Sequence, residues 1–548
     1  MRSIYGPSFN RAISHYKRLH NAVLPTSVRN MQYVNDITSY IGSLVPEGGA
    51  IEQVAKSIKD HPLQAASIGV IAYATYLIGD HLIWSPLRNI PGPTVAKLSR
   101  FYMANMRKSG KEYKIIEDLH RQYGRFVRIG PNTVSISDRN ALKEIYSTQH
   151  YRKSDFYNTF TFKGAPNIFS TTDPAYHNKI RRIMSPSFSV SNISGMEGYI
   201  LDSGVIALVD KFDKEFADKP VEVNMYEEWH YMAFDIIGEL AFGQSFGLIQ
   251  KGYHPFTKWL GTGRALVAAK STFPILNHFP EWSLFWISPK GVSNRRKLFK
   301  FAEDAYAARR SLGDKIDRRD LMALVISSVD PETGERFTYE EQIAESLAFV
   351  IAGTDTTSNT LTNTIYLLCE HPDILARLQE ELDRVMPDRN AATSYKQLGK
   401  ENAPLLWAVL MESMRVRTVL PSGLPRIVPK GGRVIAGQFI PGGTEVSVNP
   451  HLIHYDPDIF PEPEKFLPDR WLSEEANEMA KFHIPFSIGP RMCIGKNIAW
   501  MEATLALAHF VRRFDFKLAH PEKHIDIAHF FLSRPNPPEC NVFLTTRP

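Results

Sequence analysis

The stretch PFSIGPRMCIGK, Pro485–Lys496, sets a cysteine between two glycines, with an arginine two residues before it. The pattern GKNIAWMEATLALAHFVRRF follows at once and reads as a helix. A thiolate, not a thiol, is a metal ligand, and a helix N-terminus favours it by turning backbone N–H groups and the positive end of the dipole towards the sulfur. Gly489 and Gly495 let the backbone turn and approach a bulky flat ligand closely. Phe486 is placed to shield the sulfur from water, and Arg491 to pair with an anionic group on that ligand. Together, Phe486, Gly489, Arg491, Cys493 and Gly495 describe a thiolate held as an axial ligand to haem iron. The alternative is a structural cysteine in a tight loop. The pattern F-x-x-G-x-R-x-C-x-G weighs against it, since a chance match in such a chain has odds of roughly one in ten thousand or less.

The bulk numbers set the frame. With 548 residues, 43% hydrophobic and 22% charged, the chain has an ordinary globular composition and length for a large core. The formal charge of +6 is a mild excess, suited to an acidic partner or an anionic membrane surface. It has no basic run that would argue for nucleic acid. Cys369, Cys493 and Cys540 form no CxxC pair, which speaks against a structural zinc site and a disulfide framework and suggests a reducing compartment.

Towards the N-terminus, Pro62–Trp84 is mostly apolar and carries no charge up to Gly79. A membrane span takes about 20 such residues. Basic residues dominate after it, from Arg88 to Lys114, so residues 62–84 read as a single-pass anchor with the bulk of the chain in the cytosol. Residues 1–60 are basic and acid-poor up to Val34. They read as a flexible leader rather than a transit peptide, because the apolar segment follows.

Beyond the turn-rich NIPGP, Asn89–Pro93, no long linker or repeat interrupts the chain. The long apolar pattern after Thr338 predicts a helix opened by a capping box with Glu341 and ended at His371-Pro372. Such a helix belongs at the centre of a large domain. RFVRIGPNTVSIS and RVIAGQFIPGGTEVSVN each read as a hairpin. One large, mainly α domain with small peripheral β-sheets (α+β) is expected.

Inside the long helix stands AGTDTT, Ala352–Thr357. Gly353 removes a side chain where a ligand can press against the helix. Asp355 is a charge in an apolar helix, costly without a task or partner. Thr356 can bond back to a backbone carbonyl or outward to a bound molecule. In ESMR, Glu412 and Arg415 share one helical face. No G-x-S-x-G, H-E-x-x-H or phosphate-binding loop is present, and GTGRAL, Gly261–Leu266, lacks the third glycine of a dinucleotide loop.

With these motifs in place, the chain from about Pro91 to its end resembles the cytochrome P-450 superfamily. Phe486, Gly489, Arg491, Cys493 and Gly495 match its haem-binding signature. AGTDTT matches the family's acid–alcohol pair, which implies that Asp355 and Thr356 deliver protons during dioxygen activation. ESMR with Arg470 of FLPDRW matches a buried network, so Glu412, Arg415 and Arg470 take a structural role. His177 and Arg181, four apart in YHNKIRRIMSPSFS, match positions that contact haem propionates. The family more often has Trp where His177 stands. Arg426 in PSGLPRIVP matches a further propionate contact.

The resemblance implies haem b (iron protoporphyrin IX) between the long central helix and the Cys loop, and a catalytic domain over 85–548. It implies a monooxygenase that inserts one atom of O2 into a lipophilic small molecule. The chain keeps no flavin or iron–sulfur motif of its own, so electrons come from NADPH through a separate NADPH-cytochrome reductase. Lys179, Arg182, Lys481 and Lys496 lie near haem-binding motifs and suggest a basic docking patch for it. Pocket-lining segments are expected near Asn158–Ser170, Phe349–Thr356, Val419–Leu424 and Phe530–Ser533, with Ser422 and Ser533 as orienting groups. Texture such as SPSFS and GLPRIVPKGG is similar to fungal microsomal members, which implies the endoplasmic reticulum membrane and secondary-metabolite biosynthesis. Three alternatives remain: a hydroxylase of small aromatic acids, a haem-thiolate isomerase or dehydratase, and a non-catalytic haem-binding sensor.

Overall fold

The computed structural model of the chain describes residues 78–547 apart from 163, 217–219, 263 and 312–319, with scattered positions before them (60, 61, 64, 67, 75 and 76). Two units separate, Met1–Trp84 and Ser85–Pro548. Nearly all of the expected leader, 1–60, and most of the expected anchor, 62–84, lie outside the described residues. Among the described residues no helix is long and apolar enough to cross a membrane.

In the second unit, the helices that frame the site are, in chain order, α1 (Pro174–Met184), α2 (Met225–Phe242), α3 (Arg264–Thr272), α4 (Tyr339–Glu370), α5 (Pro372–Val385), α6 (Pro404–Val416) and α7 (Lys496–Arg513). The expected capping box opens α4: Thr338 accepts from the Glu341 N–H, and Glu341 reaches back to the Thr338 N–H. Along it, Ile343, Leu347, Val350, Leu361, Ile365 and Leu368 are buried, each worth about 1.5–3 kcal/mol relative to exposure. α2, α6 and α7 pack against α4, which makes it the centre of the unit. A run of its hydroxyls bonds back to the helix itself. Thr354, Thr356, Ser358, Thr360, Thr362 and Thr364 each donate to the carbonyl four residues earlier, at 2.6–2.9 Å.

Pro372 occupies the first position of α5, where its missing N–H is no loss. Ala403 has no side chain to cap α6, and Glu381 on α5 does so instead, accepting from Leu405 N (2.9 Å) and Leu406 N (2.8 Å). Neighbouring helices are thus locked end to side.

The largest sheet runs in the order Phe126–Gly130, Thr133–Ile136, Glu445–Val448, Arg426–Ile427, Arg152–Lys153. Its first two strands are the expected antiparallel hairpin. The second expected hairpin is only partly so. Arg433–Ile435 pairs with Gln438–Ile440 around Ala436-Gly437, both at positive φ, but Glu445–Val448 departs to run parallel to Thr133–Ile136. All four of its residues are buried, as suits an inner strand rather than a half-exposed ribbon. Lys153 and Arg426 are direct cross-strand partners at the sheet's far edge, which brings two cations to one place.

Candidate active site

Cys493 sits two residues before the Gly495 N-cap of α7. The loop before it is closed by Cys493 N–H donating to Phe486 O at 3.0 Å and Met492 N–H donating to Gly489 O at 3.0 Å. Gly489 has φ +72°, and a Cβ there would lie 2.2 Å from Tyr146 O, so the loop admits no side chain at that position. Gly495 has an ordinary negative φ, and a Cβ there would lie 3.9 Å from Cys493 Sγ. The Cys493 side chain is accessible although protein surrounds it closely enough for burial to push its thiol up. The N–H groups of Gly495 and Lys496 and the Arg181 guanidinium pull the other way. At Cys369 a backbone contact with Leu518, and at Cys540 the Arg417 charge, is all that opposes burial, which pushes the Cys540 thiol up to about 12.

Around this loop gather Lys153, His177, Arg181, Arg426 and Arg491. Arg181 donates from Nη1 to Met492 O at 2.7 Å, holding the loop one residue from the cysteine. Arg426 donates to the Tyr157 hydroxyl at 2.8 Å, Arg491 to Thr171 O at 3.3 Å, and Lys153 to Phe169 O. Burial, then the charges of Arg426 and Arg491, holds Lys153 well below the usual amine value. Burial, then Arg491, Lys153 and Arg181, lowers His177 to about 3, and burial, then Arg426, lowers Arg491 to about 10. None of the five forms an ion pair with a carboxylate among the described residues. Glu345 acts on Lys153, but burial raises its own carboxyl to about 8. Lys153 was not among the sequence candidates; its place opposite Arg426 comes from strand pairing that the sequence does not signal.

On α4, Ala352 is accessible in the middle of a buried helix, and Thr356, one turn on, donates to Ala352 O at 2.6 Å. Of the two options open to Thr356, the inward bond is the one formed. Gly353 corrects an expectation. Its absent side chain does not make room for a ligand, because a Cβ there would lie 3.0 Å from Ile237 Cδ1 on α2. The close approach is helix on helix. Asp355 meets His230 of α2, with Oδ1 3.2 Å from Nε2. His230 Nδ1 lies 2.8 Å from Tyr226 O, and Ser358 Oγ 3.2 Å from Nε2.

Glu412 lies fully buried between two guanidiniums. It accepts from Arg415 Nε (2.9 Å) and Nη2 (2.8 Å), Arg470 Nε (3.0 Å), Leu467 N (3.0 Å) and Trp471 Nε1 (2.8 Å). Trp471 and the Leu467 amide complete a network of which the sequence showed three members.

The basic patch is largely neutralised. Lys179 pairs with Glu335, Arg182 with Asp330 and Glu332, and Lys481 with Glu478; the sequence could not show that acids distant in the chain would fold beside the first two. A separate pocket is lined by Phe156, Phe160, Leu420, Ser422 and Phe531, with Arg107 and Glu112 at one side. Three of the four expected segments contribute to it, whereas Phe349–Thr356 does not. Ser422 lines it. Ser533 is buried away at 2% exposure, its hydroxyl without a partner.

Comparisons with known proteins agree with this geometry. A family model described as Cytochrome P450 matches residues 91–542. The chain is 32% identical over 468 residues to cytochrome P450 monooxygenase BipB of Cochliobolus sativus, covering 83% of this chain and 90% of that one. It is 30% identical over 479 residues to pisatin demethylase of Fusarium vanettenii, covering 84% and 89%. In fold it is similar to the crystal structure of the cytochrome P450DA heme domain, with a TM-score of 0.72 at 24% identity over 84% of this chain and 98% of that one. A match across most of the chain, relatives at this identity and the same mainly α fold lead to one conclusion: the chain belongs to the cytochrome P450 family and is a haem-dependent monooxygenase.

Proposed function

We propose that Cys493 would hold the haem iron through its thiolate, and that the enzyme inserts one oxygen atom of O2 into a lipophilic small molecule with electrons from NADPH passed on by a separate reductase. The observation that carries this reading is the accessible Cys493 beside five buried or half-buried donors that, among the described residues, form no ion pair with a carboxylate. The guanidiniums of Arg181, Arg426 and Arg491, largely withdrawn from water, call for an anionic group, and the two propionates of haem meet that need. Arg181, Arg426, Arg491, His177 and Lys153 would hold them, with Phe486 beside the sulfur. Bound there with thiolate ligation, haem would supply the dioxygen chemistry.

The remaining work falls to the chain. Overall, substrate C–H, O2, two protons and two electrons give C–OH and water. Tyr226 O is an acceptor only, so His230 Nδ1 carries a proton. Nε2 faces Asp355 Oδ1 at 3.2 Å and Ser358 Oγ at 3.2 Å, so a proton shared by the His230–Asp355 pair would stand one residue from Thr356. Thr356, released from Ala352 O, is placed to pass it on. The pocket at Ser422 and Phe531 takes the substrate.

The domain plan remains that of leader 1–60, anchor 62–84 and catalytic domain 85–548, at the endoplasmic reticulum membrane. Ile275, Phe279, Trp282, Phe285 and Trp286 are exposed together between α3 and the helix that starts at Pro289, an apolar face suited to a bilayer surface. Fungal relatives, one of them named for demethylating pisatin, support oxidation of a secondary metabolite. The test is turnover under labelled dioxygen with a reductase and NADPH. One labelled oxygen in the product per NADPH consumed is expected. Product formed without either reactant indicates an isomerase, and haem binding without turnover a sensor.

A further inference from the structure

The aromatic pocket has a polar corner. His529 is buried at 1% exposure, and both ring nitrogens are engaged. Nε2 lies 2.8 Å from Phe531 O, which only accepts, so Nε2 carries the proton. Nδ1 lies 3.3 Å from Ser422 Oγ. Burial holds the ring below the usual histidine value, which leaves it neutral and Nδ1 bare. Ser422 therefore donates its single proton to His529. What it presents to the pocket is a lone pair.

The charges of this corner cancel. Arg107 donates from Nε to Glu112 Oε1 at 3.3 Å and from Nη1 to Thr272 Oγ1 at 3.2 Å. Glu112 Oε2 stands 3.7 Å from His529 Nδ1, beyond hydrogen-bonding range. The opposite wall is aromatic. Phe531 ring packs 4.8 Å from Phe160, 5.9 Å from Phe169 and 6.0 Å from Phe156, centroid to centroid. Its φ of +84° is rare and strained for a bulky residue. That one residue supplies both the wall's ring and the carbonyl that fixes the His529 tautomer.

Taking this pocket as the substrate site of the monooxygenase, we propose that the enzyme selects flat, uncharged aromatic molecules carrying a hydrogen-bond donor, an aryl hydroxyl foremost, and that Ser422 accepts that donor. An aryl methyl ether has no proton to give. An aryl carboxylate meets a lone pair and an arginine already taken by Glu112, which argues against small aromatic acids as substrates.

The test is titration calorimetry on the haem-loaded full chain at neutral pH, with 2-naphthol, 2-methoxynaphthalene and 2-naphthoate as probes. Wild type should bind 2-naphthol about five- to tenfold more tightly than its ether, the worth of one hydrogen bond. Ser422→Ala should abolish the difference, and Ser422→Thr, which keeps the acceptor, should retain it. Equal affinities in wild type, no binding of 2-naphthol, a preference that survives in Ser422→Ala, or tightest binding of 2-naphthoate overturns the proposal. Calorimetry reads binding without turnover. Selective binding without NADPH consumption thus refutes the monooxygenase reading alone, and turnover without selectivity refutes this proposal alone.

Discussion

Glu412→Gln removes one charge from a fully buried cluster of three. Arg415 keeps carbonyl acceptors on His454, Pro463 and Lys465, and Arg470 keeps those on Pro461 and Glu462, but neither keeps a counter-charge. The glutamine also turns an NH2 group towards donors that a carboxylate had satisfied. Breaking a buried ion pair by removing one partner costs about 3–5 kcal/mol; two stranded guanidiniums put this substitution at the upper end. The exposed pair Arg377–Asp469, at 2.6 Å, is the internal control. Solvent screens it, so Arg377→Ala should cost under about 1 kcal/mol. Urea unfolding of the haem-loaded protein, followed by tryptophan fluorescence, reads both variants on one scale. A Glu412→Gln protein within about 1 kcal/mol of Arg377→Ala would refute the view that this network holds the core together.

Three further outcomes are expected. Thr356→Ala should divert electrons to peroxide, so that product per NADPH falls while substrate binding holds; full coupling would remove Thr356 from proton delivery. Arg181→Ala loses a charge-assisted bond to Met492 O worth about 1.5–3 kcal/mol, so haem should transfer to apomyoglobin about 10- to 100-fold more readily, and unchanged retention would contradict its place in the cradle. Glu345, raised by burial from 4.5 to about 8, stays protonated in the folded chain where the unfolded chain has lost its proton, so its contribution to stability falls as pH rises through that window. The stability of Glu345→Gln relative to wild type should therefore rise from about pH 5 to about pH 8 in urea melts, and a flat difference would exclude the raised carboxyl.

The features legible in the sequence were those encoded within one turn or one loop. The spacing around Cys493, the capping box at Thr338 and Glu341, and the shared face of Glu412 and Arg415 all depend on near neighbours. What escaped depends on tertiary approach. His230 meets Asp355 across 125 positions, and Lys153 joins Arg426 only because two short strands pair. Trp471 and the Leu467 amide reach Glu412 across 59 and 55 positions. Gly353 was misread for the same reason: a helix glycine marks a close approach, but not whether a ligand or a neighbouring helix makes it. The ion pairing of Lys179 with Glu335 and of Arg182 with Asp330 is likewise invisible to a count of lysines and arginines.

Ligation of the haem by the Cys493 thiolate is tested most directly by the absorption spectrum of the dithionite-reduced protein under carbon monoxide, recorded beside Cys493→Ser. A strongly red-shifted Soret band in the wild type, absent from a folded, haem-loaded variant, is the expected result. Folded wild type supplied with haem but lacking that band, or a variant that keeps it, would contradict thiolate ligation by Cys493 and the proton-delivery roles built on it.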